Sequence, residues 1–242
     1  MTEPGSRPRR RTGREVRSLT PTDVADLPGD CDACLFWEHG PAGSSAPKTV
    51  DAVAVGERAR KADWIDDVTH AWGPPGRIVF VDGDCAGYLT FAPPGCAPRT
   101  LAFPTAPIAD DALALLTIRV RRRYAGQGLG RVLVQTACKD ALRHDYRAIE
   151  AFGVTPALAR RHRCMIPAGF LEAVGFETVR DHPAYPRMRL DLRSALGWRD
   201  DVERAFERIV DSIRGLRPAP PVGTAQQVPG PDSPPSLLMR RG

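Results

Sequence analysis

Residues 115–131 read Leu-Leu-Thr-Ile-Arg-Val-Arg-Arg-Arg-Tyr-Ala-Gly-Gln-Gly-Leu-Gly-Arg. The apolar and β-branched start reads as a buried β-strand, the arginines as a short basic turn, and the glycines as a loop opening into a helix. Beyond the loop, Leu129, Val132, Leu133, Thr136, Ala137 and Ala141 recur at helical spacing, with Arg131, Gln135, Lys139 and Arg143 on the opposite face. The helix therefore begins among the glycines. Its unpaired N–H groups and the positive end of its dipole face whatever lies above Gly126, Gly128 and Gly130, a setting suited to an anion such as a phosphate.

Three alternate glycines let the backbone come close to a bulky ligand, and Arg121, Arg122, Arg123 and Arg131 ring it with charge. A polyphosphate is the expected ligand; the alternative is a glycine-punctuated turn that binds nothing. No Lys-Ser or Lys-Thr pair follows the last glycine, so the loop is not of the Walker type. Its spacing is also not Gly-x-Gly-x-x-Gly.

The strand followed by Ala125-Gly126-Gln127-Gly128-Leu129-Gly130-Arg131 resembles the acyl-CoA pyrophosphate loop of the GNAT superfamily of N-acyltransferases. Gly128 and Gly130 fall on the two small positions of that family's Arg/Gln-x-x-Gly-x-Gly/Ala pattern. Ala125 stands where the family has Arg or Gln, which removes a side-chain contact and leaves the backbone cradle. Arg77 to Phe91, with Gly87, is similar to the family's second and third strands, and Phe170-Leu-Glu-Ala-Val-Gly-Phe176 to its Phe-Tyr-x-x-x-Gly-Phe segment. The resemblance implies an α+β fold: a central mixed sheet of six to seven strands flanked by helices, over residues 14–193. It further implies acetyl-CoA as co-substrate, held by Ile118, Val120, Ala125, Gly126, Gln127, Gly128, Leu129, Gly130 and Arg131, with an amine as acceptor.

The chain has 242 residues, 42% hydrophobic and 26% charged, values of an ordinary globular protein. The absence of a long apolar run or a leader pattern leads us to expect a cytoplasmic protein without a membrane anchor. Six scattered cysteines suit a reducing compartment. The net charge of +5 permits acidic partners without requiring nucleic acid.

Residues 1–13 read as a disordered basic arm, which we expect to be a solvated tail, the alternative being a nucleic-acid or acidic-protein contact. Glu15 to Leu19 reads as a strand, and Thr20-Pro-Thr-Asp23 as the cap of a short helix. Cys31 and Cys34 have the spacing of half a zinc site, which His39 or His162-Arg-Cys164 could complete. The alternative, which we expect together with no bound metal, is two small buried thiols. Similar Cys-x-x-Cys and Phe-Trp-Glu segments occur in some GNAT-like proteins, which implies that Trp37 and Glu38 face the acceptor.

Val53 to Trp72 reads as a helix, and residues 77–91 as a hairpin about Asp82-Gly83. Residues 148–152 read as a strand that the resemblance implies splays from the central one. Arg160 to Val174 reads as a helix interrupted near Pro167, and residues 176–179 and 187–192 as a closing strand pair. Residues 194–215 carry a stripe of Trp198, Val202, Ala205, Phe206, Ile209 and Ile213, an amphipathic helix to be covered by the domain or by a second copy in a homodimer. Residues 216–242, with seven prolines, read as a disordered tail.

An N-acetyltransferase must polarise a thioester carbonyl, receive a neutral amine and reprotonate a thiolate. The first task falls to backbone N–H near Val120. Glu38 and Glu150 are candidate bases by residue type. Leu171 stands at the position of the family's frequent general-acid Tyr and cannot donate a proton; Tyr185 or Cys164 could substitute. The acceptor and the catalytic residues are left open, and the alternative function is an inactive acyl-CoA-binding regulatory protein.

Overall fold

The computed structural model describes residues 13–38, 50–159 and 164–195. The basic arm before Gly13, His39, His162, the amphipathic helix beyond Ala195 with its proposed dimer contact, and the proline-rich tail lie outside the described residues. Eight strands occur among those described: β1 Arg14–Ser18, β2 Gly76–Val81, β3 Asp84–Ala92, β4 Ala112–Val120, β5 Ala148–Val154, β6 Ile166–Pro167, β7 Glu177–Arg180 and β8 Arg187–Asp191. The helices are α1 Val50–Ala71, α2 Leu129–Arg143, α3 Ala168–Ala173 and α4 Leu192–Ala195. The strands form one sheet in the order β1-β2-β3-β4-β5-β8-β7, with β6 paired to β5 off that path. β4 and β5 run parallel, as do β5 and β6, and the remaining pairs are antiparallel. The fold is thus α+β with a mixed sheet, one short strand larger than the sequence reading.

The β2–β3 hairpin turns on Asp82 and Gly83, both at positive φ (51° and 84°), as a two-residue connection matched to strand twist requires. Residues 164–167 differ from the expected interrupted helix. Pro167 lacks the N–H a helix would use, so the chain is extended here, pairs with Gly153 and Val154, and enters α3 only at Ala168.

Each face of the sheet is covered by a helix. On one, Leu113 and Leu115 of β4 meet Leu129, Leu133, Val134, Ala137 and Ala141 of α2. The buried stripe thus includes Val134, whereas Val132 and Thr136 sit at its edge. On the other face, Ile65 and Val68 of α1 pack with Ile78, Tyr88, Ala112, Ala114 and Leu116.

Helix α2 is also tied to the sheet by charge. The Arg77 guanidinium on β2 grips buried Asp140 through Nε at 2.7 Å and through a second nitrogen, and donates to Ser18 Oγ at 2.9 Å. Removing one member of a buried pair strands the other, which costs about 3 kcal/mol. We expect Asp140→Asn to lower the unfolding free energy by about that amount in urea titrations. A change under about 0.5 kcal/mol would show that the pair does not hold α2.

Candidate functional site

The site arises where β4 stops following its neighbour. β4 and β5 pair at Ala112 with Ala148, Leu113 with Ile149 and Ala114 with Glu150; β4 then runs six residues further, to Val120, without a β5 partner in the ladder. Its opposite edge stays paired to β3, but with a bulge: Thr90 faces Thr117 and Phe91 faces Leu115, so Leu116 is the extra residue. A bulge bends the strand, increases its twist and shifts the alternation of side chains by one. Leu116 and Thr117 consequently both face α1, and Ile118 is returned to the α2 face together with Val120.

On the α2 face, β4 leads through a basic turn, Arg122–Tyr124, into the glycine loop. Gly126 and Gly128 have φ of +75° and +76°, and a Cβ at either would meet nothing within 4 Å. The first helical bond runs from Val132 N–H to Gly128 C=O at 3.1 Å, so the amides of the preceding turn have no partner within the helix, and no side chain caps the end. Residues 125–128 are exposed.

The remaining loop residues are structural in their side chains. Arg14 of β1 donates to Gln127 Oε1 at 3.0 Å and to its carbonyl at 3.3 Å. Leu129 is buried in the core, and Arg131 donates to Ala173 C=O at 2.7 Å, at the end of α3. Gly130 is small for packing rather than for a ligand: its Cβ would sit 3.0 Å from the Phe170 ring and 3.9 Å from Ile118 Cδ1. Ile118 is thereby adjacent to the start of α2. Ala125 closes the basic turn, its N–H donating to Arg122 C=O at 3.1 Å.

On the α1 face lies a small pocket lined by Cys31, Cys34, Trp37, Glu38, Lys61, Tyr88, Thr90, Thr117 and Cys164. Cys164, distant in sequence from the rest, is pinned there: its carbonyl accepts from Trp37 Nε1 and from Thr117 Oγ1, both at 3.1 Å. Glu38 and Lys61 form a buried ion pair, and Glu38 Oε2 accepts Trp37 N–H at 3.1 Å. The sequence reading gave neither Lys61 nor Thr117 a role.

Glu150, the other carboxylate considered as a base, is 2% exposed and engaged by Arg189 at 3.0 Å, Arg187 at 3.5 Å and Ala109 N–H at 3.2 Å. It secures β8 to β5 rather than facing the pocket. Tyr185 packs edge-on to Phe103, whose ring in turn stacks with Trp37. Leu171 is fully buried in the α2-side core.

A family model described as the acetyltransferase (GNAT) family matches residues 46–170, just over half of the 242 residues. The chain belongs to the GNAT acetyltransferase family. Among solved structures it is similar to the PaiA N-acetyltransferase of Thermoplasma acidophilum in complex with coenzyme A. That match has 14% identity, a TM-score of 0.47, and coverage of 74% of this chain and 99% of that one. It is also similar to an N-acetyltransferase of Staphylococcus aureus Mu50, at 16% identity, TM-score 0.47 and coverage of 75% and 99%. A Brucella melitensis GNAT family acetyltransferase in complex with acetyl-CoA matches at 14% identity, TM-score 0.42 and coverage of 75% and 89%. No curated protein matches the chain.

The α1-side pocket of this GNAT chain also holds three thiols, Cys31, Cys34 and Cys164. Cys34 and Cys164 lie 2.7 Å apart, sulfur to sulfur. The hydrogen bond from Cys164 draws the Cys34 thiol down to about 7, against its burial, and the Phe36 amide and the Lys61 charge assist. The same contact, with burial, pushes Cys164 up. Cys31, hydrogen-bonded to Tyr88, is pushed up by burial. Buried Cys138 on α2 is pushed up to about 12. Because the thiolate is the reactive form, iodoacetamide near neutral pH should label Cys34 well before Cys138 in peptide maps of the native protein. Equal labelling of the two would contradict this electrostatic picture.

Proposed function

We propose that the protein is a cytoplasmic, acetyl-CoA-dependent N-acetyltransferase acting on the amine of a small molecule or protein. The observation that carries this reading is the juxtaposition on the α2 face. The exposed, uncapped start of α2, preceded by glycines at positive φ, lies beside Ile118 at the stretch where β4 has left β5. Family membership supplies the reaction class. The donor set fits the cofactor: successive backbone amides and a helix dipole suit a diphosphate, and an unladdered strand edge suits an amide-bearing arm.

When bound, acetyl-CoA supplies a thioester carbonyl open to attack by an amine. Residues 126–131 would hold its diphosphate, chiefly through their backbone, and Ile118 and Val120 would line its arm. The amide near Val120 would donate to the carbonyl oxygen. Glu38, the carboxylate of the α1-side pocket, accepts the amine's proton directly or through water. Tyr185 is the candidate donor to the leaving thiolate, and a thiolate with a reference pKa of about 8.5 also leaves without one.

Calorimetry with acetyl-CoA tests the binding half. Valine at position 128 must adopt a left-handed backbone at a cost of roughly 1–2 kcal/mol. Gly128→Val should therefore weaken binding about tenfold while far-ultraviolet circular dichroism stays native. No heat from the wild type at millimolar acetyl-CoA would remove the proposal. The catalytic half is read from CoA release over an amine panel. Glu38→Gln should slow turnover about a hundredfold without altering acetyl-CoA affinity. Tight binding with no turnover of any amine would favour the inactive acyl-CoA-binding alternative.

A further inference from the structure

We propose that Cys34 and Cys164 are a redox-active dithiol, oxidised by a hydroperoxide to a disulfide that staples the Trp37–Glu38 segment to the chain entering β6. The inference rests on the thiols alone and stands apart from the acetyltransferase reading.

The two cysteines are 130 residues apart in sequence, and their sulfurs are 2.7 Å apart. A disulfide bond is about 2.05 Å long, so the two sulfurs, unbonded as placed, are already close to bonding distance. The contact is held from both sides. Trp37, three residues beyond Cys34, donates its indole N–H to the Cys164 carbonyl, and Thr117 of β4 donates to the same oxygen. Bond formation therefore needs only a local approach of side chains already fixed against one another.

Cys31 has the sequence spacing of a Cys-x-x-Cys partner and lines the same pocket, but its thiol is engaged by the Tyr88 hydroxyl, whereas the sulfur-to-sulfur contact is between Cys34 and Cys164. Among the described residues no group of three or more His, Cys, Asp or Glu is placed to hold a metal ion. Both residues of the pair are partly exposed rather than sealed in the core. The charges around them divide the roles. Lys61 and the Cys164 S–H favour the thiolate on Cys34, Glu38 opposes it, and Cys164 keeps its proton.

With hydrogen peroxide, the Cys34 thiolate attacks one peroxide oxygen. The O–O bond breaks, hydroxide leaves and takes up a proton as water, and Cys34 becomes a sulfenic acid. The Cys164 sulfur then attacks the Cys34 sulfur. The S–O bond breaks, the departing hydroxide takes the Cys164 proton as a second water, and the S–S bond forms. Two thiols are thus oxidised by two electrons, and one peroxide is reduced to two waters. Thiol–disulfide exchange with a small thiol reverses the step.

The test treats the full-length protein with hydrogen peroxide, blocks remaining thiols and maps peptides by mass spectrometry. We expect a linked Cys34–Cys164 peptide, a free-thiol count lower by two than the initial six, and full reversal by dithiothreitol. Cys31→Ser should retain the link, and Cys34→Ser and Cys164→Ser should lose it. Mapping of the wild type decides the matter even if a variant fails to fold. A Cys31–Cys34 link, conversion of Cys34 to sulfinic acid without a cross-link, or stoichiometric zinc that protects the thiols would each overturn the proposal.

Discussion

Parallel strands β4 and β5 share a ladder over three residue pairs and then part, and the site depends on that parting. Backbone N–H and C=O groups demand partners, so a strand edge inside a folded domain is tolerated only where something else meets it. Here the bulge at Leu116 bends β4 while its other edge remains paired to β3 as far as Val120 with Gly87. The bend presents two consecutive side chains, Leu116 and Thr117, to one face and directs Ile118 and Val120 to the other. A single extra residue thus gives β4 a role on both sides of the sheet: it approaches the glycine loop on one and the polar pocket on the other.

The loop is useful only if α2 is held still, and four anchors achieve this. The apolar stripe from Leu129 to Ala141 seats the helix on the sheet. Arg77 fixes its far turn through Asp140, Arg14 holds Gln127 at its start, and Arg131 links it to the end of α3. Two of the arginines that seemed to be charge for a ligand, Arg131 and Arg121, are engaged with main-chain carbonyls of Ala173 and Asp26. What remains for an anion is chiefly backbone, the component that survives the substitution of Ala125 for a longer polar side chain.

The strand–loop–helix core was legible because each part has a local cause: β-branched alternation, left-handed glycines and 3.6-residue periodicity. The hairpin at Asp82-Gly83 was legible for the same reason. The bulge at Leu116 was not, since no glycine or proline marks it and it follows from how β3 and β4 settle against two different cores. The stretch before Pro167 was misread as helix because its pairing with Gly153 and Val154 is a non-local event. Cys34 was legible as half of a motif that His39 or His162-Arg-Cys164 could complete, without a choice between them. Its actual neighbour is Cys164, brought in by a crossover that spacing cannot reveal, and Lys61 became a pocket residue only when α1 was laid across the sheet.

The polar contents of that pocket are expensive to bury, and their arrangement explains how they are tolerated. A buried ion pair adds little net stability relative to apolar residues of similar size, so Glu38 and Lys61 are poor choices for filling space. Lys61, 4% exposed, must be compensated from within, and it has two anionic candidates: the Glu38 carboxylate and the Cys34 sulfur. The Cys34 thiolate is favoured by Lys61 and opposed by Glu38, so the two anions compete for one cation. Converting Cys34 to a neutral disulfide ends the competition and leaves Lys61 wholly to Glu38. On the proposed reading Glu38 is the proton acceptor, so the oxidation state of the thiols and the charge beside that carboxylate are linked through one buried lysine.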